Sequence, residues 1–143
     1  MMQSFSNKNI LLCITGGIAA YKSAEILRLF KKNGADIRIV MTEAAKEFIT
    51  PLTMQALSGN PIHNSLLDEK AEAAMSHIEL AKWADIIIIA PCTAETMSKL
   101  AHGRADDLMG AVILASHAKT FIAPAMNVEM WRDPVTQNNL NIL

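Results

Sequence analysis

The side chains best suited to chemistry lie in four short segments rich in glycine, hydroxyl or amide groups. These segments are residues 15–18, 42–43, 91–96 and 124–127 of a 143-residue chain. Adjacent glycines at 16 and 17 let backbone N–H groups approach an anion at the start of a helix. Thr93 and Thr96, near another helix start, can hold a phosphate with hydroxyls and free amides. With the hydroxyl of Thr42, these segments suit a mononucleotide that carries one phosphate, such as FMN.

The glycine segment matches neither of two familiar nucleotide-binding motifs. A dinucleotide fingerprint needs alternating glycines and an acidic residue after the second strand, whereas Gly16 and Gly17 are adjacent and Thr42 replaces the acid. A P-loop needs glycine immediately before Lys22, where Tyr21 stands. Taken alone, each segment also admits a structural interpretation, as a tight turn or a helix cap, and the residues do not decide between the two.

One histidine is a candidate for proton transfer. His77 stands at the start of a helical run of apolar residues. A lone histidine is more often structural or solvated, and that alternative stays open. His63, His102 and His117 have no better claim, and no two histidines have the spacing of metal ligands, so no metal site is expected.

One amide side chain is a candidate for substrate binding. Asn127 stands between Met126 and Met130, and Trp131 follows. Its side chain has both donors and an acceptor, so it can bind a carboxylate or an amide. The alternative is a loop that packs the methionines and the tryptophan against the core.

Buried strands alternate with helices along the chain. Continuous apolar runs predict strands at residues 10–14, 37–41, 85–90 and 120–124. Helical spacing and capping residues predict helices at 18–32, 51–57, 77–83, 93–101 and 107–117, a short helix after 42 and a last helix from 133–134. Residues 62–75 predict only a short strand and an exposed loop. The alternation indicates an α/β fold, a Rossmann-like three-layer sandwich of the flavodoxin type with a parallel sheet. Ligands of such folds bind beyond the carboxyl ends of the strands.

Composition limits the class of protein. A length of 143 residues suits a single domain, and a net charge of −1 without basic runs excludes a typical nucleic-acid partner. Two distant cysteines form no disulfide framework, which favours a reducing, cytoplasmic compartment. The polar start is no signal peptide, and the apolar run at 86–90 is too short to span a membrane. The 51% hydrophobic content indicates apolar surface that is covered by other subunits, or simply a large core.

The order of several motifs resembles one known family, the flavin-dependent cysteine decarboxylases. This family includes phosphopantothenoylcysteine decarboxylases and lantibiotic peptide decarboxylases. The resemblance runs from about Lys8 to the end of the chain, and the segments that carry it are 14–22, 41–45, 76–85, 90–96, 105–108 and 124–131. The segments around His77 and Asn127 are the specific ones, whereas the Gly-Gly loop occurs more widely.

The resemblance implies a cofactor, roles for the site residues and an assembly. The implied FMN-binding residues are Gly16, Gly17, Ile18, Thr42, Pro91, Thr93, Ala94, Glu95, Thr96 and Ala125. It further implies that His77 is the catalytic base, that Asn127 holds the substrate carboxylate, and that Met126 and Met130 contact the substrate. It also implies homotrimers, often assembled into dodecamers, with the active site at a subunit boundary.

The implied reaction is the FMN-dependent oxidative decarboxylation of the cysteine moiety of 4'-phosphopantothenoylcysteine to 4'-phosphopantetheine, a step of coenzyme A biosynthesis. Alternatives are a peptidyl-cysteine decarboxylase of the lantibiotic type and a non-catalytic FMN-binding regulatory protein. A prenyl-flavin synthase shares the fold, but His77 together with the Pro-Ala-Met-Asn segment speaks against it.

One part of the family pattern does not occur in these residues. Family members carry a substrate-covering flap after the last helix, and in the pantothenate branch a cysteine of this flap protonates the product. The sequence ends at Leu143. We therefore expect residues 1–143 to form a single flavoprotein domain that stops before the flap, and in many bacteria a synthetase domain follows it.

Overall fold

A parallel sheet lies at the centre of the described chain, which comprises residues 4–66 and 76–143 of a computed structural model. Its five strands are β1 (Asn9–Ile14), β2 (Asp36–Met41), β3 (Ile62–His63), β4 (Ile86–Cys92) and β5 (Lys119–Pro124). They lie in the order β3-β2-β1-β4-β5. Ile10 of β1 pairs with Ile37 on one side and with Ile86 on the other, all in parallel. The strand order therefore reverses between β1 and β4, and such a switch point is where α/β sheets bind ligands.

Helices connect the strands and cover the sheet. They are α1 (Lys22–Lys32), α2 (Pro51–Ser58), α3 (His77–Trp83), α4 (Ala94–Ala101), α5 (Leu108–Ala115), α6 (Val128–Arg132) and α7 (Pro134–Ile142). Two short 3-10 helices, Ile18–Tyr21 and Ala44–Glu47, follow β1 and β2. No helix in the described ranges is long and apolar enough to span a membrane.

The core has two apolar layers, one on each face of the sheet. Alternate residues of β1 point to opposite faces, so Leu12 belongs to one layer and Leu11 to the other. Leu27 of α1 and Met54 of α2 pack in the first layer, whereas Leu80 of α3 packs in the second. Since an apolar layer lies on each face of the sheet, the predicted three-layer α/β sandwich is confirmed. Strands that are covered on both faces need continuous apolar runs, which is why the sequence predicted this arrangement.

Two predicted elements need correction. The helix predicted over 18–32 begins with a 3-10 turn, because Gly17 has no side chain to cap it and the N–H of Ala20 bonds to the carbonyl of Gly17 at 2.9 Å instead. Residues 128–132, for which the sequence offered only a packed loop as one alternative, form the short helix α6. The predicted loop at 67–75 and the first three residues lie outside the described ranges.

β5 forms one edge of the sheet and is poorly covered. Each of its residues except Ile122 is exposed. In this respect it differs from β1, whose residues from Ile10 onward are all buried. The covered part of the core therefore ends at β4.

Candidate functional site

A cavity of about 930 Å³ opens at the carboxyl end of the sheet. Residues that follow all five strands line it, as the sheet topology requires. The predicted site residues in its wall are Gly16, Gly17, Ile18, Thr42, Thr93, Ala94, Glu95, Thr96, Ala125, Met126, Asn127 and Met130. Of the predicted site residues, only His77 and Pro91 lie outside the wall. The fold therefore brings segments more than a hundred residues apart around one space.

The two adjacent glycines serve different purposes. A Cβ atom on Gly16 would lie 2.5 Å from the Cβ and 2.8 Å from the backbone carbon of Ala44, so the turn after β2 leaves no room for a side chain. A Cβ on Gly17 would meet nothing within 4 Å, and the backbone there is extended. Gly16 thus allows the turns after β1 and β2 to approach closely, whereas Gly17 leaves open space in the cavity wall.

A threonine cap shapes the segment after β4. The hydroxyl of Thr93 accepts the backbone N–H of Thr96 at 3.1 Å and bonds to its hydroxyl at 3.0 Å. Thr93 is therefore the N-cap of α4, as the structural interpretation of this segment predicts. The N–H groups of Ala94 and Glu95, which begin the helix in the cavity wall, have no partner within the helix and can bind an anion.

Asn127 also caps a helix. Its Oδ1 accepts the N–H groups of Glu129 at 2.8 Å and Met130 at 3.2 Å. The side-chain oxygen is thereby fixed at the start of α6, which leaves Nδ2 as the donor of a residue that lines the cavity. A fixed amide donor can bind a carboxylate, so the capping role and the predicted substrate-binding role are compatible.

His77 occupies the first position of α3, after a complete capping box formed by Ser76 and Glu79. At the other end of this helix, the carbonyl of Trp83 accepts the side-chain amide of Asn9 at 3.0 Å, at the amino end of β1. α3 therefore starts on the side of the sheet where the cavity opens. His77 is half-buried there but does not line the cavity of its own chain.

Polar residues that sequence reasoning did not select also line the cavity. Asn64 follows β3, and Lys99 lies on α4 three residues after Thr96. The ammonium of Lys99 lies 3.8 Å from a carboxylate oxygen of Asp106 and 3.7 Å from one of Asp107. Helical spacing could have placed Lys99 on the face of Thr96, whereas nothing in the sequence around Asn64 indicates a site.

Comparison with known proteins decides the family. The sequence profile described as Flavoprotein matches residues 2–143. The chain belongs to the Flavoprotein family. The "Coenzyme A biosynthesis bifunctional protein CoaBC" of Vibrio cholerae is 57% identical to it over 142 residues, which are 99% of this chain and 36% of that protein. The chain thus spans about a third of the length of this curated relative.

Solved structures show the same Flavoprotein fold. The FMN-dependent cysteine decarboxylase SpaF is 32% identical and superimposes with a TM-score of 0.89, covering 98% of this chain and 81% of SpaF. A PPC decarboxylase mutant complexed with pantothenoylaminoethenethiol is also 32% identical, with a TM-score of 0.81, over 95% of this chain and 76% of that one. These neighbours agree with the family and with the parallel sheet.

The cavity of this Flavoprotein-family chain fits a flavin cofactor. Its volume of about 930 Å³ lies within the range of cofactor pockets. Gly17 offers backbone without a side chain in the wall, and the first turn of α4 offers free N–H groups to a phosphate. Metal chemistry has no comparable basis, since no group of three or more potential metal ligands occurs among residues 4–66 and 76–143.

The two cysteines of this Flavoprotein-family chain are inert core residues. Neither Cys13 nor Cys92 lines the cavity, and both are fully buried. Burial raises the pKa of the Cys92 thiol to about 12. Burial, followed by the charges of Cys92 and Asp107, raises the pKa of Cys13 far above its usual range. Neither thiol can therefore act as an acid on a ligand in the cavity.

These buried thiols are expected to make the fold sensitive to alkaline pH. The thiols ionise near pH 9.0 in the unfolded chain, whereas the folded chain keeps Cys92 protonated until about pH 12. In this window the unfolded state binds fewer protons, so the free energy of unfolding falls as pH rises, by about 1.4 kcal/mol per pH unit for each thiol. Below pH 9.0 this contribution to stability is fully present.

Urea denaturation at several pH values checks this expectation. The decisive quantity is the slope of the free energy of unfolding against pH, compared between the wild-type chain and Cys92→Ala, because this difference isolates the Cys92 thiol. We expect the variant to lose stability less steeply above pH 9.0. Equal slopes of the free energy of unfolding against pH for the two chains would show that the Cys92 thiol ionises equally in the folded and the unfolded state, and would contradict this expectation.

Proposed function

We propose that this chain binds FMN and catalyses the oxidative decarboxylation of the cysteine moiety of 4'-phosphopantothenoylcysteine. The observation that carries the proposal is the meeting of the Gly16 turn, the first turn of α4 and the Nδ2 of Asn127 around one cavity. The first two suit a cofactor phosphate and the third suits a substrate carboxylate. The 57% identity to CoaBC of Vibrio cholerae favours the pantothenate substrate.

FMN, when bound, supplies the oxidation that turns the cysteine side chain into a thioaldehyde able to accept the electrons left by departing CO₂. The chain's own residues bind and orient the reactants. Free N–H groups at the start of α4 and the backbone of Gly17 hold the cofactor phosphate, and Thr42 extends this wall. The Nδ2 of Asn127 donates a hydrogen bond to the substrate carboxylate and so fixes the bond that breaks. His77 accepts a proton, a role that histidine side chains commonly have in general acid–base catalysis.

His77 requires a neighbouring copy to fulfil this role. It does not line the cavity of its own chain, so in our proposal it acts in the cavity of the next subunit of a homotrimer, or of a dodecamer built from trimers. Exposed apolar side chains of the cavity wall support such an assembly: Ile18 is 83% exposed, Tyr21 57% and Met130 49%. Large exposed apolar groups around a site commonly mark a protein interface. We place the assembly in the cytoplasm, in agreement with the reduced thiols.

The nearest alternative is a peptidyl-cysteine decarboxylase. The solved peptidyl-cysteine decarboxylase EpiD, 26% identical with a TM-score of 0.80 over 94% of this chain and 79% of EpiD, favours this alternative. The two activities share FMN, Asn127 and His77, and differ only in what is attached to the cysteine. A non-catalytic FMN-binding protein is the alternative from another functional class, and it would have no use for a fixed amide donor in the cavity wall.

One experiment separates these functions. We expect the purified chain to be yellow and to release FMN, rather than FAD, on denaturation. Anaerobic addition of phosphopantothenoylcysteine should bleach the flavin absorbance and release CO₂, whereas a peptide ending in cysteine should do so more slowly. A colourless protein that binds no added FMN would contradict the cofactor. A yellow protein that neither substrate bleaches would indicate the binding protein, and faster bleaching by the peptide would indicate the peptidyl enzyme.

A further inference from the structure

The carboxyl ends of four neighbouring strands are joined by hydrogen bonds just below the cavity. Between β2 and β1, the N–H of Thr42 donates to the carbonyl of Ile14 at 3.1 Å. Between β4 and β5, the N–H of Ala125 donates to the carbonyl of Cys92 at 3.1 Å. Both links use backbone groups only, so a change of side chain leaves the bonding groups in place.

The link between β1 and β4 is of another kind. The hydroxyl of Thr15 donates to the carbonyl of Pro91 at 2.6 Å and accepts the N–H of Thr93 at 3.2 Å. The parallel ladder of these two strands extends from the pair Ile10–Ile86 to the pair Cys13–Ile89, and the hydroxyl continues the connection beyond it. This link lies at the topological switch point, and it depends on a single side-chain oxygen.

Thr15 is placed to act through its neighbours. Its side chain is 1% exposed, and its hydroxyl donor is already used within the protein. On one side it is covalently continuous with Gly16 and Gly17. On the other it holds the N–H of Thr93, whose own hydroxyl caps α4. The hydroxyl therefore sets the distance and angle between the glycine turn and the first turn of α4.

We propose that Thr15 is a positioning residue that aligns these two segments so that both bind the phosphate of one cofactor. This inference rests on the FMN binding proposed above. Thr15 lines the cavity together with Gly16 and Thr93, and the role we assign to its hydroxyl is to hold the two segments, not to contact the phosphate. Without it, the two segments keep their own turns, but their relative position is no longer fixed, and the phosphate loses contacts from one side.

Thr15→Val tests the proposal, because valine keeps the β-branched shape of threonine and removes only the hydroxyl. We expect the Kd for FMN to rise about tenfold or more, since two hydrogen bonds between the segments are lost. Thr15→Ser restores the hydroxyl and should bind FMN within about threefold of the wild-type chain. The visible spectrum of bound flavin should change in Thr15→Val and return to normal in Thr15→Ser.

Ser116 offers a matched control outside the cavity wall. Its hydroxyl donates to the carbonyl of Ala81 at 2.7 Å and accepts the N–H of Ala118 at 3.1 Å, a similar pair of bonds just before β5 begins. Ser116→Ala should lower the melting temperature without changing the Kd for FMN. If Thr15→Val bound FMN as tightly as wild type, or if Ser116→Ala weakened FMN binding equally, the positioning role would be wrong.

A further variant keeps the test decisive if Thr15→Val does not fold. Thr15→Cys retains a weakly hydrogen-bonding group near the position of the hydroxyl. We expect its Kd for FMN to lie between those of the wild-type chain and Thr15→Val, about threefold or more above the wild-type value. Wild-type affinity in Thr15→Cys would overturn the inference. Failure of the wild-type chain itself to bind FMN would instead overturn the proposed function.

Discussion

Replacing Gly16 with alanine is expected to weaken FMN binding about 100-fold, which corresponds to about 2.7 kcal/mol. The added Cβ would lie 2.5 Å from the Cβ of Ala44 and 2.8 Å from its backbone carbon. Backbone cannot move aside as the end of a flexible side chain can, so the turns after β1 and β2 must separate. Such overpacking also lowers the free energy of unfolding, typically by about 1–3 kcal/mol. Fluorescence titration with FMN and urea denaturation measure the two effects.

Gly17→Ala is the matched control for this substitution. Its Cβ would meet nothing within 4 Å, and its backbone is extended, so the stability of the apoprotein should stay unchanged. If the cofactor phosphate lies against Gly17, FMN affinity falls in this variant without any loss of stability. Equal stability of Gly16→Ala and wild type would show that the turn after β2 yields, and would contradict the close packing argued here.

Asn127→Asp is expected to lower the rate of flavin reduction by phosphopantothenoylcysteine, at low substrate concentration, about 100-fold. Aspartate caps a helix as well as asparagine does, so α6 and the fold should persist. The second carboxylate oxygen would replace the Nδ2 donor and face the substrate carboxylate, and like charges in contact cost several kcal/mol. Asn127→Ser, which also caps but adds no charge, should be affected less. Anaerobic stopped-flow measurement of the flavin absorbance, with FMN affinity as the control, checks both variants.

The same variant tests where His77 acts. Chains of His77→Asn and Asn127→Asp should each have little activity alone. If His77 and Asn127 meet between copies, as proposed, a site is native when one copy supplies an intact His77 and its neighbour an intact Asn127. In a random equal mixture about a quarter of the sites meet this condition, so about a quarter of the wild-type activity should return. If both residues served one chain's own site, mixing would restore nothing. Refolding the two variants together and separately distinguishes these outcomes.

Local sequence patterns were sufficient to predict most of the fold. The apolar run Ile86–Ile89 predicted a strand covered on both faces, and Ser76 as a capping residue predicted the start of α3 at His77. The candidate site followed from the same topology, because parallel strands place their carboxyl ends at one edge. The sequence therefore predicts that Gly16, Thr93 and Asn127 lie at that edge, and all three line the cavity.

Contacts between distant residues were not predictable in the same way. The approach of Lys99 to Asp107 depends on how α4 and α5 pack, and local sequence does not encode it. The short helix α6 has only five residues, too few for a clear apolar period. The position of His77 outside the cavity depends on the length and direction of α3, although its sequence motif marks it as a site residue.

β5 is the edge strand of the sheet that the described residues form, next to β4. An edge strand presents unpaired N–H and C=O groups on which another strand can pair, and such pairing can continue without closing into a ring. Lys119 and Pro124 stand at the two ends of β5, and both residue types discourage pairing. Between them Phe121 is 49% exposed, so the middle of the strand is the least protected part of the edge. A further strand added along this edge would pair with that middle part and cover Phe121.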